Sequence, residues 1–475
     1  MPPIARTSAR AMAATVLAAT VGVLGCRTPP ASGVSTVSAK LTDRFAQSVS
    51  DAKTLGQVCL PPGVTLDGGL TEDAAISVAL WNNPAFQELL VDLGLARADL
   101  IQAGLLPNPE FVYYFGATDK PFKYLFDFPI DALWLRPIRV KAAARDADRA
   151  SDRLTQAGLD LIRDVRVAYA DVVLARDRQR VANEALKLRG DIAAFATKRL
   201  DAGAIAAQEQ ATAKIDALIA AQETVRVGYD IPVAEERLRN LLGLGLLRGP
   251  LALDPSPVPG RQTLDVDRLT LDALATRPDA LAAASLLEAA QARVRFNKIA
   301  WVRLLGLGDA TSGRVLGHEF SPAFRVTLPL FNVGQGGVAR AEAELQRAER
   351  NQQTVANQII LDVQRADLLF QQAAAEHDFV RNKVRPEVET AIRLAQAAYR
   401  EGEVTYLIVL EVSRQLLDNY LREATLQGDL RRTWAELERS VGRKLPPASA
   451  PSPAPKPAVP PPTPTGEPPP KPSEK

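Results

Sequence analysis

The chain has 475 residues, 5% of them aromatic and 24% charged, and a formal net charge of +2. That length allows two or three ordinary domains or one elongated one, and the near-neutral charge gives no broad basic surface, so nucleic acid is not an expected partner. Two Cys, two His and two Met are scattered, and no nucleophile or phosphate-loop motif stands out. We therefore predict no enzyme, no cofactor and no metal site. Abundant Ala with few aromatics favours long helices packed through small side chains.

The amino end has the pattern of a secretory signal. Arg6 and Arg10 precede an apolar run that ends near residue 24, which is too short to span a bilayer as a helix. Residues 1–25 are thus predicted to be a signal peptide. Val23-Leu-Gly-Cys26 resembles a bacterial lipobox, so we expect Cys26 to be lipidated and to tether the chain to a membrane. Arg rather than Asp follows Cys26, which favours the outer membrane; the alternative is a plain signal peptide that contains a Cys.

The next segments lead to a predicted β-hairpin. Residues 26–70 are polar and rich in Ser and Thr, which predicts an extended strap. Thr71 is a helix cap, and Pro84 suits the first turn of a second helix. Aromatic residues then alternate from Phe122 to Phe128, a period of two that indicates a strand within a hairpin at about 108–135. Strands of about ten residues can cross a bilayer when tilted. A surface hairpin on a soluble protein is the alternative.

A long helix and a tight turn complete the first half, residues 71–248. Apolar residues at three-four spacing predict a helix from Lys141 to about Leu200, with Pro137 marking the exit from the hairpin. About sixty residues would span roughly 90 Å, so this helix must belong to an extended bundle or tube. Gly203 reverses the chain at about 199–209, because Gly tolerates a positive φ. A return helix follows to Leu242, and Pro232 should break or kink it.

The second half has the same order of predicted elements. A Pro-rich linker over 249–263 leads into residues 264–445, with a hairpin at about 301–331, a helix from about Val338 to Tyr399, a turn at Gly402 within 399–411, and a last helix to Val441. Corresponding residues lie about 195 to 200 positions apart, which predicts an internal two-fold repeat. The tail over 446–475 is nearly half Pro and is predicted to be disordered.

Three motifs carry a resemblance to a known family. They are Arg277-Pro-Asp279, Leu328-Pro-Leu-Phe-Asn-Val-Gly-Gln335, and Tyr399-x-x-Gly402-x-x-Thr405 followed by Leu407 and Leu410. Over residues 70 to 443 the chain resembles the TolC-type outer-membrane efflux proteins. The resemblance implies a mainly α fold with β. Three copies would form an α-helical barrel that continues into a transmembrane β-barrel of about twelve strands, four from each protomer.

The resemblance also implies a function and its partners. It implies the passive exit duct of a tripartite efflux system for drugs, solvents or metal cations, working as a homotrimer in outer-membrane lipid. The other partners would be a periplasmic membrane-fusion adaptor and an inner-membrane pump, with the RND type favoured. By the same resemblance, the residues that contact the adaptor at the tip are Gly203, Ile205, Gly402, Val404 and Thr405.

The resemblance further implies a pore constriction near the tip. The family often narrows the pore with rings of carboxylates, and the matching residues are Glu411 and, in the first half, Glu209. Ile408 replaces one carboxylate. Val404 stands where some members pair an Asp with an Arg, so we expect no polar latch at this position. A ring of three Glu411 side chains would attract cations. The alternative is that Glu411 is simply solvated.

Two other functions fit the same predicted architecture. One is the outer-membrane conduit of a type I protein secretion system. The other is a structural coiled-coil lipoprotein of the cell envelope that has no pore.

Overall fold

The structure, a computed structural model, describes residues 33–50, 58–65, 68–115, 122–302, 304–313, 317–326 and 330–446. The predictions of a signal peptide, of lipidation at Cys26 and of a tail beyond Pro446 fall on residues outside these ranges. The elements of the first half are α1 Val34–Phe45, α2 Glu72–Asn82, α3 Pro84–Gly104, β1 Glu110–Phe115, β2 Phe122–Pro129, α4 Asp131–Asp201, α5 Ala207–Gly228 and α6 Asp230–Leu241.

The second half repeats this order with one long return helix. Its elements are α7 Val266–Thr276, α8 Pro278–Ile299, β3 Leu304–Gly313, β4 Gly317–Val326, α9 Gln335–Phe379, a π-helical segment Val380–Val384, α10 Arg385–Glu401 and α11 Tyr406–Val441. The predicted single helix from Val338 to Tyr399 is therefore interrupted. The π-helical segment ends just before Pro386, which has no N–H to continue the α-helical hydrogen bonds.

The predicted extended strap is wrong for residues 34–45, which form α1. Val37, Leu41 and Phe45 recur at helical spacing and are buried. The high Ser and Thr content hid this short apolar stripe in the sequence. Gly158 allows α1 to approach α4 closely, since an added Cβ there would lie 3.0 Å from Leu41 Cδ1. Lys40 Nζ also donates to Asp152 Oδ1 of α4 at 2.6 Å.

Helix α4 begins ten residues before the predicted start at Lys141. It starts at Asp131, and Pro137 lies inside it rather than before it. Pro137 is the seventh residue of this helix, beyond the first turn, so its missing N–H removes the intrahelical hydrogen bond to the Leu133 carbonyl. Arg136 Nε donates to the Gly104 carbonyl at 2.6 Å. A side chain of α4 therefore supplies a hydrogen bond to the last carbonyl of α3. The predicted break in the return helix falls at Tyr229, because Pro232 cannot bond to the carbonyl four residues earlier.

The strands of the described residues form one antiparallel sheet in the order β1-β2-β3-β4. The register places Phe126 opposite Phe111 on one side and Gly308 on the other. The sequence predicts strands from Trp301 to Leu307 and from Phe320 to Leu330 in the second hairpin, whereas β3 extends to Gly313 and β4 begins at Gly317. Every residue of β2 pairs with a residue of β3. This pairing outweighs the low strand propensity of the glycines in β3. The outer edges of β1 and β4 have no neighbouring strand among the described residues.

Helix α4 is the common packing partner of the fold. It contacts α1, α2, α3, α5, α6, α8 and α11. One apolar cluster lies between α4 and the amino-terminal helices, and it includes Leu41, Ile76, Phe86 and Ile162. A second cluster joins α7, α9 and α11 around Phe370 and Leu437. Among the described residues, no helix is both long enough and apolar enough to cross a membrane.

Buried charges join distant parts of the chain. Arg277, the residue before α8, is 1% exposed. Its guanidinium donates to Asp279 Oδ2 at 2.6 Å, to Asp362 Oδ2 at 3.3 Å and to the Ser440 carbonyl at 2.9 Å. This single side chain therefore ties the start of α8 to α9 and to the end of α11. The Arg277-Pro-Asp279 motif thus has a structural explanation.

We predict that Arg277→Met lowers the free energy of unfolding by about 3–5 kcal/mol, because it removes the buried cation beside Asp279 and leaves Asp362 with Arg439 alone. Urea unfolding of the purified protein in detergent, followed by far-UV circular dichroism, measures this change. The control is Arg443→Met, which removes an exposed ion pair with Asp272 and should cost no more than about 1 kcal/mol. Equal losses of unfolding free energy in the two variants would contradict the structural role of Arg277.

Candidate functional site at the helical turns

The two predicted turns have the same backbone geometry. Gly203 and Gly402 have φ values of 70° and 82°, so both adopt the left-handed conformation that favours glycine. The Ala204 N–H donates to the Arg199 carbonyl at 2.8 Å, and the Glu403 N–H donates to the Ala398 carbonyl at 2.9 Å. These bonds close the last turn of each long helix in the Schellman pattern. The chain reverses within a few residues at both places.

The predicted tip residues lie on and just after these turns. Gly203, Gly402 and Thr405 are exposed, while Ile205 and Val404 are half-buried. Ile205 and Val404 pack against one apolar cluster, whose buried members include Tyr399, Tyr406 and Val409. The two turns of one protomer therefore lie side by side. Thr405 precedes α11, and its side chain makes no capping hydrogen bond.

Arg199 and Tyr399 link the two turns directly. The Arg199 Nη1 donates to the Tyr399 carbonyl at 3.3 Å, and its guanidinium carbon lies 4.9 Å from the centre of the Tyr399 ring. Phe195 packs edge-on against the same ring at 5.6 Å. The Tyr399 hydroxyl donates to Glu209 Oε1 at 3.4 Å. Burial and the negative charge of Glu209 raise the pKa of Tyr399.

A second polar contact lies further from the turns. The Tyr406 hydroxyl donates to Asp216 Oδ2 at 2.9 Å, and both side chains are buried. Arg414 Nη2 lies 3.8 Å from the other oxygen of Asp216. Burial, and then the hydrogen bond to Asp216, raise the pKa of Tyr406, so this phenol stays protonated at neutral pH. Asp216 therefore has a neutral donor and a nearby cation.

The two residues predicted for the pore constriction have different surroundings within one protomer. Glu209 is half-buried and is engaged with Tyr399, whereas Glu411 is exposed and accepts a hydrogen bond from Gln415 at 3.1 Å. Glu209 lies three residues after Ala206, the N-cap of α5. Ile408 lies three residues after Thr405, the N-cap of α11. Glu209 thus matches Ile408, and Glu411 lies about one helical turn further along α11.

Of the residues that make polar contacts between the turns, the sequence singled out Tyr399 and Glu209 but not Arg199, Asp216 or Tyr406. Val404 packs against the apolar cluster. Arg199, Tyr399, Asp216 and Tyr406 make the links instead. Tyr406 and Asp216 are separated by 190 positions, and no local pattern connects them. Among the described residues, no group of three or more His, Cys, Asp or Glu side chains could hold a metal ion.

Comparison with known proteins places this architecture in a family. The sequence model of the outer membrane efflux protein family matches residues 126–244 and 269–443, which is more than half of the chain. The chain therefore belongs to the outer membrane efflux protein family. It is a transport protein of the outer membrane and not an enzyme.

Two characterised relatives are metal-resistance proteins. The cobalt-zinc-cadmium resistance protein CzcC of Cupriavidus metallidurans is 24% identical over 416 residues, which is 85% of this chain and 97% of CzcC. The nickel-cobalt-cadmium resistance protein NccC of Alcaligenes xylosoxydans xylosoxydans is 23% identical over 290 residues, 60% of each chain.

Solved structures share the fold. The outer membrane protein VceC of Vibrio cholerae superposes with a TM-score of 0.67 at 19% identity, covering 78% of this chain and 96% of VceC. CusC superposes with a TM-score of 0.68 at 17% identity, covering 84% of this chain and 98% of CusC.

We predict that Tyr406→Phe loosens the paired turns. The change removes the donor to buried Asp216 and should cost about 1–3 kcal/mol. Amide hydrogen exchange over residues 399–411, read by mass spectrometry at neutral pH, should become faster. Because the pKa of Tyr406 is raised above its ordinary value of 10.0, the contribution is complete below pH 10 and is lost as the pH rises through the higher pKa.

The control is Tyr229→Phe. Tyr229 is exposed at the break between α5 and α6, and its hydroxyl makes no contact with the turns. Exchange at 399–411 should then match that of the wild type. Unchanged exchange in Tyr406→Phe would show that the Tyr406–Asp216 contact does not hold the turns together.

Proposed function

We propose that this chain is the outer-membrane exit duct of a tripartite efflux system and that it exports divalent metal cations. It works as a homotrimer, receives its cargo through a periplasmic adaptor from an inner-membrane pump, and performs no chemistry. A proton-driven pump of the RND type is the favoured partner. Membership of the efflux family supports the general function, and the metal cargo rests on the similarity to CzcC and NccC.

The single observation that supports the duct is the four-stranded sheet, whose two outer edges have no neighbouring strand among the described residues. In hydrocarbon, unpaired N–H and C=O groups at a strand edge cost several kcal/mol each, so an open sheet is not tolerated. Pairing β4 of one copy with β1 of the next satisfies both edges. Three copies then close a barrel of about twelve strands, and the two halves of the chain act as structural repeats within it.

The helices support a tube that continues from this barrel. Helix α4 has 71 residues and reaches about 105 Å along its axis. It starts two residues after β2 and ends at the Gly203 turn, so the turns lie at the end far from the sheet. Gly203, Ile205, Gly402, Val404 and Thr405 are thereby the residues proposed to contact the adaptor. The exposed backbone of both glycines and the uncapped Thr405 hydroxyl suit a close protein contact.

A passive duct does not need metal ligands of its own. Few His, Met and Cys residues occur in the chain, so cation transfer depends on charge rather than on coordination. We propose that Glu411, exposed near the turns, forms a ring of three carboxylates that favours cations. Glu209 is a weaker candidate, because Tyr399 already holds its carboxylate.

We expect deletion of the gene to raise sensitivity to cobalt, zinc and cadmium salts, with a several-fold lower inhibitory concentration that a plasmid copy restores. Growth assays on a graded series of metal salts measure this. A panel of dyes, detergents and antibiotics is the control. A change confined to that panel would refute the metal cargo but not the duct, and no change in either would count against efflux.

We expect the purified trimer to conduct ions in planar bilayers and Glu411→Gln to lower its cation-over-anion selectivity, because a ring of three negative charges is lost. Reversal potentials in a salt gradient measure selectivity. Asp267→Asn, which neutralises an exposed carboxylate at the start of α7, is the matched control and should leave selectivity unchanged. Absence of conductance would favour a structural lipoprotein without a pore.

We also propose that Cys26 carries a diacylglyceryl anchor at the mature amino end. Mass spectrometry of the purified protein should show lipid mass that Cys26→Ser abolishes. Cys59→Ser is the control, since Cys59 is a half-buried free thiol whose backbone is bonded to Asn82, and it should retain the lipid. A mature wild-type protein without added mass would identify a plain signal peptide.

A further inference from the structure

A cleft of about 260 Å³ lies between α4, α8 and α9. Arg149, Arg153 and Gln156 line it from α4, and their spacing of four and three residues places them on one face of that helix. Asn351 lines it from α9, and small alanines line it from α8, which packs against both other helices. We call the three side chains of α4, together with Asn351, the arginine cleft. Polar groups therefore surround a space that the alanines leave unfilled.

The two arginines of the cleft are not neutralised by this part of the chain. Neither Arg149 nor Arg153 makes an ion pair or a hydrogen bond with another residue that the structure describes. Arg145, one turn earlier on α4, shows the contrast, because its guanidinium pairs with Asp148 at 3.2 Å and with Glu288 at 2.8 Å. Two cations one helical turn apart thus face the same space without a counter-charge.

The carboxylates close to the cleft are already held by other arginines. Burial, and then the positive charge of Arg153, lower the pKa of Arg149, so its surroundings lack negative charge. Two carboxylates line the cleft and a third lies near Arg149, and each has its own partner. The pairs are Asp160 with Arg439 at 2.8 Å, Asp279 with Arg277 at 2.6 Å and Asp146 with Arg293 at 2.5 Å.

Gln156 adds an unused acceptor beside these cations. Its Nε2 donates to Asp160 Oδ1 at 3.2 Å, which fixes the orientation of the amide, because the opposite orientation would place two oxygens against each other. Its Oε1 is buried and has no hydrogen-bond donor within the described ranges. Buried acceptors are normally satisfied, so this oxygen points to a ligand that carries a donor.

We infer that the arginine cleft binds a protonated oxyanion such as hydrogen phosphate. The negative oxygens accept charge-assisted hydrogen bonds from Arg149 and Arg153, and the P–OH group donates to Gln156 Oε1. The Asn351 amide supplies a further donor from α9. The bound anion thereby joins α4 of the first half of the chain to α9 of the second half, across α8.

The position of the cleft favours a free anion over a lipid headgroup. Arg149 lies about 27 Å along α4 from Asp131, the residue at which this helix leaves the sheet. In the proposed arrangement, with the sheet in the bilayer, that distance places the cleft in the aqueous periplasm. The site itself does not depend on the duct, because it is built entirely from residues of one protomer.

Calorimetric titration of the purified full-length protein in detergent, with inorganic phosphate and with sulfate, tests the site. At neutral pH phosphate keeps a P–OH group, whereas sulfate has none. The wild type should bind phosphate more tightly, and phosphate should raise the midpoint of thermal unfolding. Arg149→Gln should weaken the binding of both anions by at least about tenfold. Gln156→Leu should weaken phosphate to the level of sulfate and leave sulfate unchanged.

The matched control is Arg340→Gln, which removes an exposed guanidinium of α9 that pairs with Glu344 outside the cleft and should leave both affinities unchanged. If Arg149→Gln does not fold, Arg153→Gln gives the same test, because Arg153 is exposed. A wild type that binds no phosphate would overturn the inference. Equal affinities for the two anions, unaltered by Gln156→Leu, would also overturn it and identify an adventitious ion only. Conductance and metal sensitivity test the duct separately.

Discussion

Helix α4 runs from the sheet to the Gly203 turn and packs against helices from both halves of the chain, and the rest of the architecture is arranged along it. Shorter helices pack on it at different heights: the end of α3 lies at the sheet end of α4, α1 lies beside Asp152, α2 lies beside Arg166 near the middle, and α5 lies along the opposite end. Those neighbours leave large apolar residues exposed on other faces, such as Leu218 and Val225 on α5 and Leu368 on α9. Exposed apolar patches mark contacts with another protein or with a membrane. At the sheet, the outer edges of β1 and β4 have no neighbouring strand among the described residues.

Within the protomer, buried polar contacts fix how the two halves meet. Arg277 joins α8, α9 and α11, and Arg166 of α4 pairs with Glu438 of α11 where both are almost fully buried. At the far end, Tyr399 and Tyr406 link the turns through Glu209 and Asp216. Apolar clusters with many Ala side chains would allow helices to slide along one another. Directional contacts at the middle of α4 and at the turns set a single register instead.

Helix caps and turns could be predicted from the sequence, whereas contacts between distant parts of the chain could not. The cap at Thr71, the first-turn Pro84 and the positive φ at Gly402 are confirmed because each depends on a few adjacent residues. Helix α1 was missed because only three apolar residues in twelve mark its buried face. Strand β3 contains glycines that no propensity favours, and its length comes from pairing with β2. The Tyr406–Asp216 contact has no local signal. The sequence therefore predicted where in the chain the candidate site lies, but not the contacts that hold the two turns together.

The pairing of Arg166 with Glu438 has a consequence for biogenesis. The two residues are 272 positions apart, and Glu438 also accepts the backbone N–H of Leu445 near the end of the described chain. The core around α4 therefore stays incomplete until the ribosome has made almost the whole polypeptide. Contacts of such large sequence separation form slowly. The nascent protein is consequently unfolded for a long interval, which is the condition that export through a narrow translocation channel requires before assembly in the envelope.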